Sequence, residues 1–258
     1  MAKRADARRS RHDADAGGDP ELLAAKAELR ERVWADLDQP GVARFPKPAN
    51  RIPNFVGAEA AARLLAGTDE WGAATTVKSN PDSPQWPVRT RALQDGKVVY
   101  MAVPRLADAD PFFLLDPEHL ADAPRAASSI KGAAHSACTV GVDELEPVDL
   151  VVTGCVAVDE AGARIGKGGG FSDLELALAA EAGLVDARTV VVTTVHERQV
   201  LAAGAVPTTG HDIHVDVIVT PERIVRCARP GRWALPRIQW DELTDEKVAA
   251  IPLLGRMR

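Results

Sequence analysis

The segment Arg164-Ile-Gly-Lys-Gly-Gly-Gly-Phe-Ser-Asp173 has the residue types of an anion-binding loop. Its first seven residues include four glycines and two cations. Glycine has no Cβ, so backbone N–H groups can approach an anion closely, and arginine and lysine add positive charge. The loop fits neither Walker A nor Gly-x-Gly-x-x-Gly, because no Gly-Lys-Ser/Thr is present and Gly170 comes one position early. We interpret it as a phosphate-binding loop rather than a plain flexible turn.

The residues that follow the glycines allow two interpretations. Ser172 and Glu175 have the spacing of a helix capping box, with serine as the cap and glutamate three residues later. Asp173 would then lie in the first helical turn, where the helix dipole favours an anion. Alternatively, Asp173 holds a divalent metal ion beside bound phosphates. The residues alone leave both interpretations open.

Other titratable residues are weaker candidates for chemistry. If His211-Asp-Ile-His-Val-Asp216 is extended, Asp212, His214 and Asp216 share one face, and the two carboxylates could bind Mg²⁺. A polar strand entrance is the simpler interpretation. His196 follows an apolar run and is either an acid or base or the first residue of a helix.

Three more side chains are expected to be structural. Cys155 lies inside an apolar run and is predicted to be an inert core residue. Arg89 and Arg91 would alternate on one face of a strand, where solvated cations on an edge strand are the expected situation.

The helices and strands that position these residues are predicted from the sequence pattern. Asp19-Pro20 predicts a helix start, and Lys26 and Arg30, four residues apart, should point the same way. The remaining pattern predicts helix over 58–66, a hairpin over 88–103 with Asp95-Gly96 at its turn, an irregular stretch over 104–136, buried strands over 150–158, 189–195 and 215–220, and helices over 174–182 and 196–203.

This order predicts an α/β fold: a three-layer, mostly parallel sheet with helices on both faces, a small hairpin and a C-terminal tail. We predict a disordered leader over residues 1–18, an α/β domain over 19–227, and a tail packed on or trailing the domain over 228–258. In such sheets ligands bind beyond the carboxyl ends of strands, and the glycine loop is predicted to lie there.

Composition argues against several classes of protein. The chain of 258 residues carries a formal net charge of −6 and only 4% aromatic residues, which argues against a nucleic-acid partner. No apolar run approaches the length of a membrane span, and the N-terminus lacks a signal-peptide core. Three widely spaced cysteines match no zinc pattern and favour a reducing, cytoplasmic location.

Taken together, these motifs resemble the 5-formyltetrahydrofolate cyclo-ligase family, also called methenyltetrahydrofolate synthetase, over roughly residues 21–225. The resemblance is carried by Lys26-Ala-Glu-Leu-Arg30, by Gly162 through Asp173, and by Val206-Pro with His211 through Thr220. Phe45-Pro, Arg51-Ile-Pro-Asn-Phe55 and Arg164-Ile-Gly-Lys-Gly look like the branch of methenyltetrahydrofolate synthetase domain-containing proteins.

The resemblance implies ATP and Mg²⁺ as cofactors and a reduced folate as substrate. The reaction that the resemblance implies begins when ATP phosphorylates the formyl oxygen of 5-formyltetrahydrofolate; the second folate nitrogen then attacks the activated carbon, and phosphate leaves. By position, the resemblance assigns catalytic roles to Arg164 and Lys167. It assigns Mg²⁺ binding to Asp173 and Asp216. The residues to which the resemblance assigns nucleotide binding are Lys26, Arg30, Arg164, Gly166, Lys167, Gly168, Gly169, Gly170, Phe171, Ser172 and Asp173.

Two departures from the family pattern leave other functions open. Phe171-Ser172 stand where family members commonly have two tyrosines, and Thr75 through Pro81 offer no acidic residue on an early strand. The alternatives are a divergent paralogue that uses ATP on another substrate and a non-catalytic nucleotide- or RNA-binding module. The sequence is equally compatible with a monomer and a homodimer.

Overall fold

The computed structural model describes residues 19–209, 212–228 and 236–257. The predicted leader, His211 and residues 229–235 of the predicted tail therefore lie outside the described residues. Within those residues, no helix combines the length and the apolarity needed to cross a lipid bilayer.

A large, mostly parallel β-sheet is the centre of the fold. Its strand order is β11-β10-β8-β5-β1-β2-β3-β4. The five strands from β10 to β2 run parallel, and the flanking β11, β3 and β4 pair antiparallel. A second sheet has the order β7-β6-β9. The strands are β1 (Thr76–Ser79), β2 (Val98–Ala102), β3 (Phe112–Leu115), β4 (Cys138–Val140), β5 (Leu150–Thr153), β6 (Ala157–Asp159), β7 (Arg164–Ile165), β8 (Val190–Thr194), β9 (Val200–Leu201), β10 (Val217–Val219) and β11 (Ile224–Arg226).

Helices cover both faces of the large sheet. They are α1 (Pro20–Leu37), α2 (Ala58–Ala66), α3 (Asp69–Ala73), α4 (Trp86–Gln94), α5 (Pro124–Ala127), α6 (Ile130–Ser136), α7 (Phe171–Glu181), α8 (Asp245–Ala250) and α9 (Pro252–Met257). The start of α1 follows the predicted chemistry, since the Asp19 side chain accepts a hydrogen bond from Glu21 N–H and Pro20 occupies the first turn.

Alternating strand residues build a core on each side of the sheet. Val151 and Val191 pack with α7 in one apolar cluster, whereas their neighbours Val152 and Val192 pack with α2 and α4 in the other. The predicted α/β fold with a mostly parallel sheet and helices on both faces is confirmed.

A third apolar cluster joins α1 to the small sheet. Leu29, Val33 and Leu37 of α1 pack there against Val156 and Ile165. The helix that carries Lys26 and Arg30 is thereby fixed beside β7, the strand that leads into the glycine loop.

The predicted hairpin over 88–103 is wrong. Residues 86–94 form α4, and only the second half, β2, is a strand, which pairs parallel with β1. Arg89 and Arg91 therefore do not share a strand face. Asp95-Gly96 ends the helix, with Gly96 at φ +77°, instead of turning a hairpin.

Other predicted boundaries also change. The single strand predicted over 150–158 is two strands in different sheets, β5 and β6, because residues 154–156 leave the large sheet. The irregular stretch over 104–136 contains β3, α5 and α6. In place of a helix over 196–203, a single 3₁₀ turn over Glu197–Gln199 leads into β9.

Candidate active site

A cavity of about 580 Å³ collects most of the residues singled out in the sequence. It lies at the carboxyl end of β1, where Asn80, Pro81 and Asp82 follow the strand, and it is bordered by α1 and the start of α7. The predicted residues that line it are Lys26, Arg30, Arg164, Gly166, Lys167, Gly168, Gly169, Gly170, Phe171, Ser172 and Asp173.

The two cations of α1 reach the cavity from one helix face. Lys26 Nζ lies 2.6 Å from Asp212 Oδ2, and Arg30 Nε donates to Gly166 O at 2.9 Å. Both residues are buried at their helix positions. The four-residue spacing thus places one cation toward Asp212 and the next against the glycine loop.

Two glycines are required by the conformation of the loop. Gly168 has φ +105° and Gly170 has φ +65°, a region that residues with a Cβ rarely adopt. Gly170 is also the N-cap of α7 and offers no side-chain acceptor to the first helical turn. A helix start of this kind is a favourable place for an anion.

Ion pairs hold two of the loop's charged side chains in place. Arg164 Nη2 lies 2.7 Å from Asp173 Oδ1; the arginine side chain is 2% exposed and the aspartate 40%. Arg164 Nε is buried without a partner. Lys167 Nζ lies 3.2 Å from Asp82 Oδ1 across the cavity.

The predicted capping box of Ser172 and Glu175 is wrong, because both side chains belong to a buried polar network. Asn80 Nδ2 donates to Ser172 Oγ at 3.1 Å and to Glu175 Oε2 at 3.0 Å. Lys78 Nζ pairs with the same glutamate oxygen at 2.6 Å. Burial of this ion pair ties β1 to α7 at the floor of the cavity.

Asp216 is not brought to the cavity. Its Oδ2 accepts a hydrogen bond from Val191 N–H at 2.7 Å, just before β10 begins. Asp212 lines the cavity instead, so the predicted common face of Asp212 and Asp216 does not form. Among the residues described, no group of three or more potential metal ligands is present.

The remaining candidates have structural roles. His196 caps the 3₁₀ turn, and its Nδ1 accepts from Arg198 N–H. Burial, followed by the nearby Arg198 charge, lowers the pKa of His196. Burial raises the pKa of the Cys155 thiol to about 11, as expected for an inert core cysteine.

Several cavity residues were not predicted from the sequence. Asn80 and Asp82 follow a buried parallel strand directly, and that position was a signal that could have identified them. Arg237 and Lys247 come from the C-terminal segment, and no sequence motif marks either one.

Comparison with known proteins finds a matching family and several relatives. The model of the 5-formyltetrahydrofolate cyclo-ligase family matches residues 21–221. The chain is 38% identical over 239 residues to the methenyltetrahydrofolate synthase domain-containing protein of Mus musculus and 36% identical over 245 residues to that of Bos taurus. These matches cover 91% and 93% of this chain and 63% of each relative, so the chain spans less than two thirds of their length.

A solved structure shows the same fold. The 5,10-methenyltetrahydrofolate synthetase of Aquifex aeolicus superposes with a TM-score of 0.51 at 21% identity, and the match covers 83% of this chain and 98% of the other.

Proposed function

Because the chain belongs to the 5-formyltetrahydrofolate cyclo-ligase family, we propose that it cyclises 5-formyltetrahydrofolate to 5,10-methenyltetrahydrofolate with release of ADP and phosphate. The observation that carries the proposal is the meeting of Lys26 and Arg30 with the glycine loop in one cavity. Separate segments converge there with the charge and backbone freedom that a polyphosphate needs.

The side chains would act mainly by holding and neutralising charge, as phosphoryl transfer requires. Lys26, Arg30 and the loop bind the phosphates of ATP in this proposal. Arg164 and Lys167 offset the negative charge that develops as the γ-phosphoryl group moves to the formyl oxygen. The second folate nitrogen then forms a bond to the formyl carbon and loses its proton, and phosphate leaves with that oxygen.

Of the two predicted Mg²⁺ ligands, we propose Asp173 alone. Asp173 lines the cavity with a partly exposed carboxylate, whereas Asp216 is engaged with Val191 elsewhere. Mg²⁺ commonly takes one or two carboxylates together with phosphate oxygens and water, so a single aspartate suffices. Bound there, the ion would neutralise phosphate charge.

Turnover tests the proposal. ADP release with 5-formyltetrahydrofolate should coincide with the appearance of methenyl absorbance, and both should require ATP. The near-isosteric variant Asp173→Asn should strongly lower the rate of Mg²⁺-dependent turnover and change the melting temperature little. Absence of turnover at high enzyme concentration would overturn the folate assignment.

A second candidate keeps the ATP chemistry and changes the substrate. It is favoured by Phe171 at the cavity wall and by Ser172, whose hydroxyl accepts from Asn80. In addition, Lys78 occupies the early strand and neutralises Glu175. ATP consumption with another N-formyl or carboxylate compound, and none with 5-formyltetrahydrofolate, would support it.

We also propose a cytoplasmic location. Cys138, Cys155 and Cys227 form no disulfide within the described part of the chain, which suits a reducing compartment.

A further inference from the structure

The C-terminal segment, defined as residues 236–257, forms one wall of the cavity. It lies beyond residues 21–221, to which the family model extends. Its residues that line the cavity are Pro236, Arg237, Ile238, Gln239, Leu243 and Lys247.

Specific contacts hold this segment against α7, the helix that follows the glycine loop. Ile238 N–H donates to Glu181 Oε1 at 2.9 Å. The segment also buries apolar side chains in the cluster that contains Leu174 and Leu178 of α7: Val248, Ile251 and Leu254. The C-terminal segment is therefore packed against α7.

Lys247 lies directly on the glycine loop. Its Nζ donates to Gly169 O at 3.0 Å and lies 5.3 Å from the centre of the Phe171 ring. A Cβ on Gly170 would come within 3.0 Å of the same nitrogen. The Thr244 side chain accepts from Lys247 N–H and fixes the start of α8 beneath it.

The segment also adds two cations to the cavity lining. Upstream of it, the described lining residues include five cations: Lys26, Arg30, Arg51, Arg164 and Lys167. They include five carboxylates as well: Asp19, Asp82, Asp173, Glu175 and Asp212. Lys78 neutralises Glu175 from outside the lining, and among the described lining residues the C-terminal segment adds Arg237 and Lys247 without a carboxylate.

We propose that the C-terminal segment is a second anion-binding wall, in which Lys247 and Arg237 bind the phosphate oxygens of the nucleoside triphosphate. This inference rests on the proposed function, because it assigns the anion to ATP. Lys247 exchanges its bond to Gly169 O for a phosphate oxygen when the nucleotide enters. Charge-assisted contacts of this kind are short and strong.

Calorimetric titration of the full chain with AMP, ADP and ATP tests the proposal. Lys247→Met should weaken ATP binding about 10- to 100-fold, the loss that one charge-assisted hydrogen bond corresponds to. The loss should grow from AMP to ATP, since each added phosphate brings more negative charge to the cationic wall. Lys247→Arg should restore most of the affinity. Arg188→Met is the matched charge control, because Arg188 pairs with Asp186 and does not line the cavity.

Two outcomes would overturn the inference while the proposed function stands. They are unchanged ATP affinity in Lys247→Met, and an equal loss for AMP and ATP, which would indicate a general disturbance of the cavity. If the wild-type chain binds no ATP, the proposed function fails first. Inorganic tripolyphosphate then separates the two: binding by the wild-type chain that Lys247→Met weakens supports the anion wall, and equal or absent binding rejects it.

Discussion

Lys167 contributes charge to the cavity without being part of the core. Its side chain is 44% exposed and forms an ion pair with Asp82. Its position among glycines allowed Lys167 to be predicted as a phosphate-binding residue. The sequence could not show that Asp82, 85 residues earlier in the chain, would face it.

Lys167→Ala should therefore weaken ATP binding and leave the fold intact. We expect a loss of about 10- to 100-fold in affinity, as for removal of one charged hydrogen-bond partner. Calorimetry measures the affinity, and thermal unfolding checks the fold. Affinity equal to that of the wild-type chain would remove the phosphate-binding role of Lys167.

The cysteines should differ sharply in reactivity. Burial raises the pKa of Cys155 to about 11, so the thiolate that reacts with alkylating agents is scarce below that pH. Cys138 is exposed. Iodoacetamide at pH 8, followed by mass spectrometry, should label Cys138 in the folded chain and Cys155 only after unfolding. Equal labelling of both would contradict the buried position of Cys155.

At the scale of elements, α4 shows what the sequence pattern missed. A strong turn signal at Asp95-Gly96 suggested a hairpin, yet the buried residues Val88, Arg89, Ala92 and Leu93 follow a helical period. Pro87 in the first turn was a further helix signal. A buried arginine obscured the pattern, since arginine is expected on an exposed face.

Arg89→Met should destabilise the fold strongly, and Arg91→Met should not. Burial lowers the pKa of Arg89 to about 10, and its guanidinium bonds the carbonyls of Asn80, Pro81, Asp82 and Ser128. Asn80 O also accepts from Ser79 Oγ, and Asp82 O from Gln85 N–H, so the substitution removes the donor mainly from Pro81 O and Ser128 O, at a cost of about 1–3 kcal/mol each.

The neighbouring arginine is a matched control on the same helix. Arg91 forms a partly exposed pair with Asp95 four residues on, an interaction of about 0.3–0.5 kcal/mol. Urea unfolding measures both variants. Similar losses for the two would argue against the helical placement of Arg89.

The buried pair of Lys78 and Glu175 links β1 to α7 beneath the cavity. Lys78→Met leaves the Glu175 carboxylate buried without its cation and should cost about 3–5 kcal/mol. The double variant Lys78→Met, Glu175→Leu should recover much of that loss, because no unpaired charge remains. Additive losses in the double-mutant cycle would show that the two side chains do not interact.

At the scale of the whole molecule, the site is assembled from distant parts of the chain. Lys26 and Asp212 are 186 residues apart and meet at 2.6 Å. Periodicity and glycine content predicted the parallel sheet and the loop, because both depend on local sequence. Arg237 and Lys247 enter the cavity only through tertiary packing, which no local pattern encodes, whereas Asn80 and Asp82 follow a buried strand whose end could have identified them. The prediction that Asp173 and Asp216 bind one Mg²⁺ ion together also depends on tertiary packing. Of the two, only Asp173 lines the cavity.

We propose that this cavity moves a phosphoryl group from ATP onto the formyl oxygen of a folate. The most direct measurement uses 5-formyltetrahydrofolate labelled with ¹⁸O in the formyl group and follows the label by mass spectrometry. We expect one labelled oxygen in each phosphate released, together with equal amounts of ADP and the methenyl product. Phosphate without the label, or methenyl product formed without ATP, would contradict it.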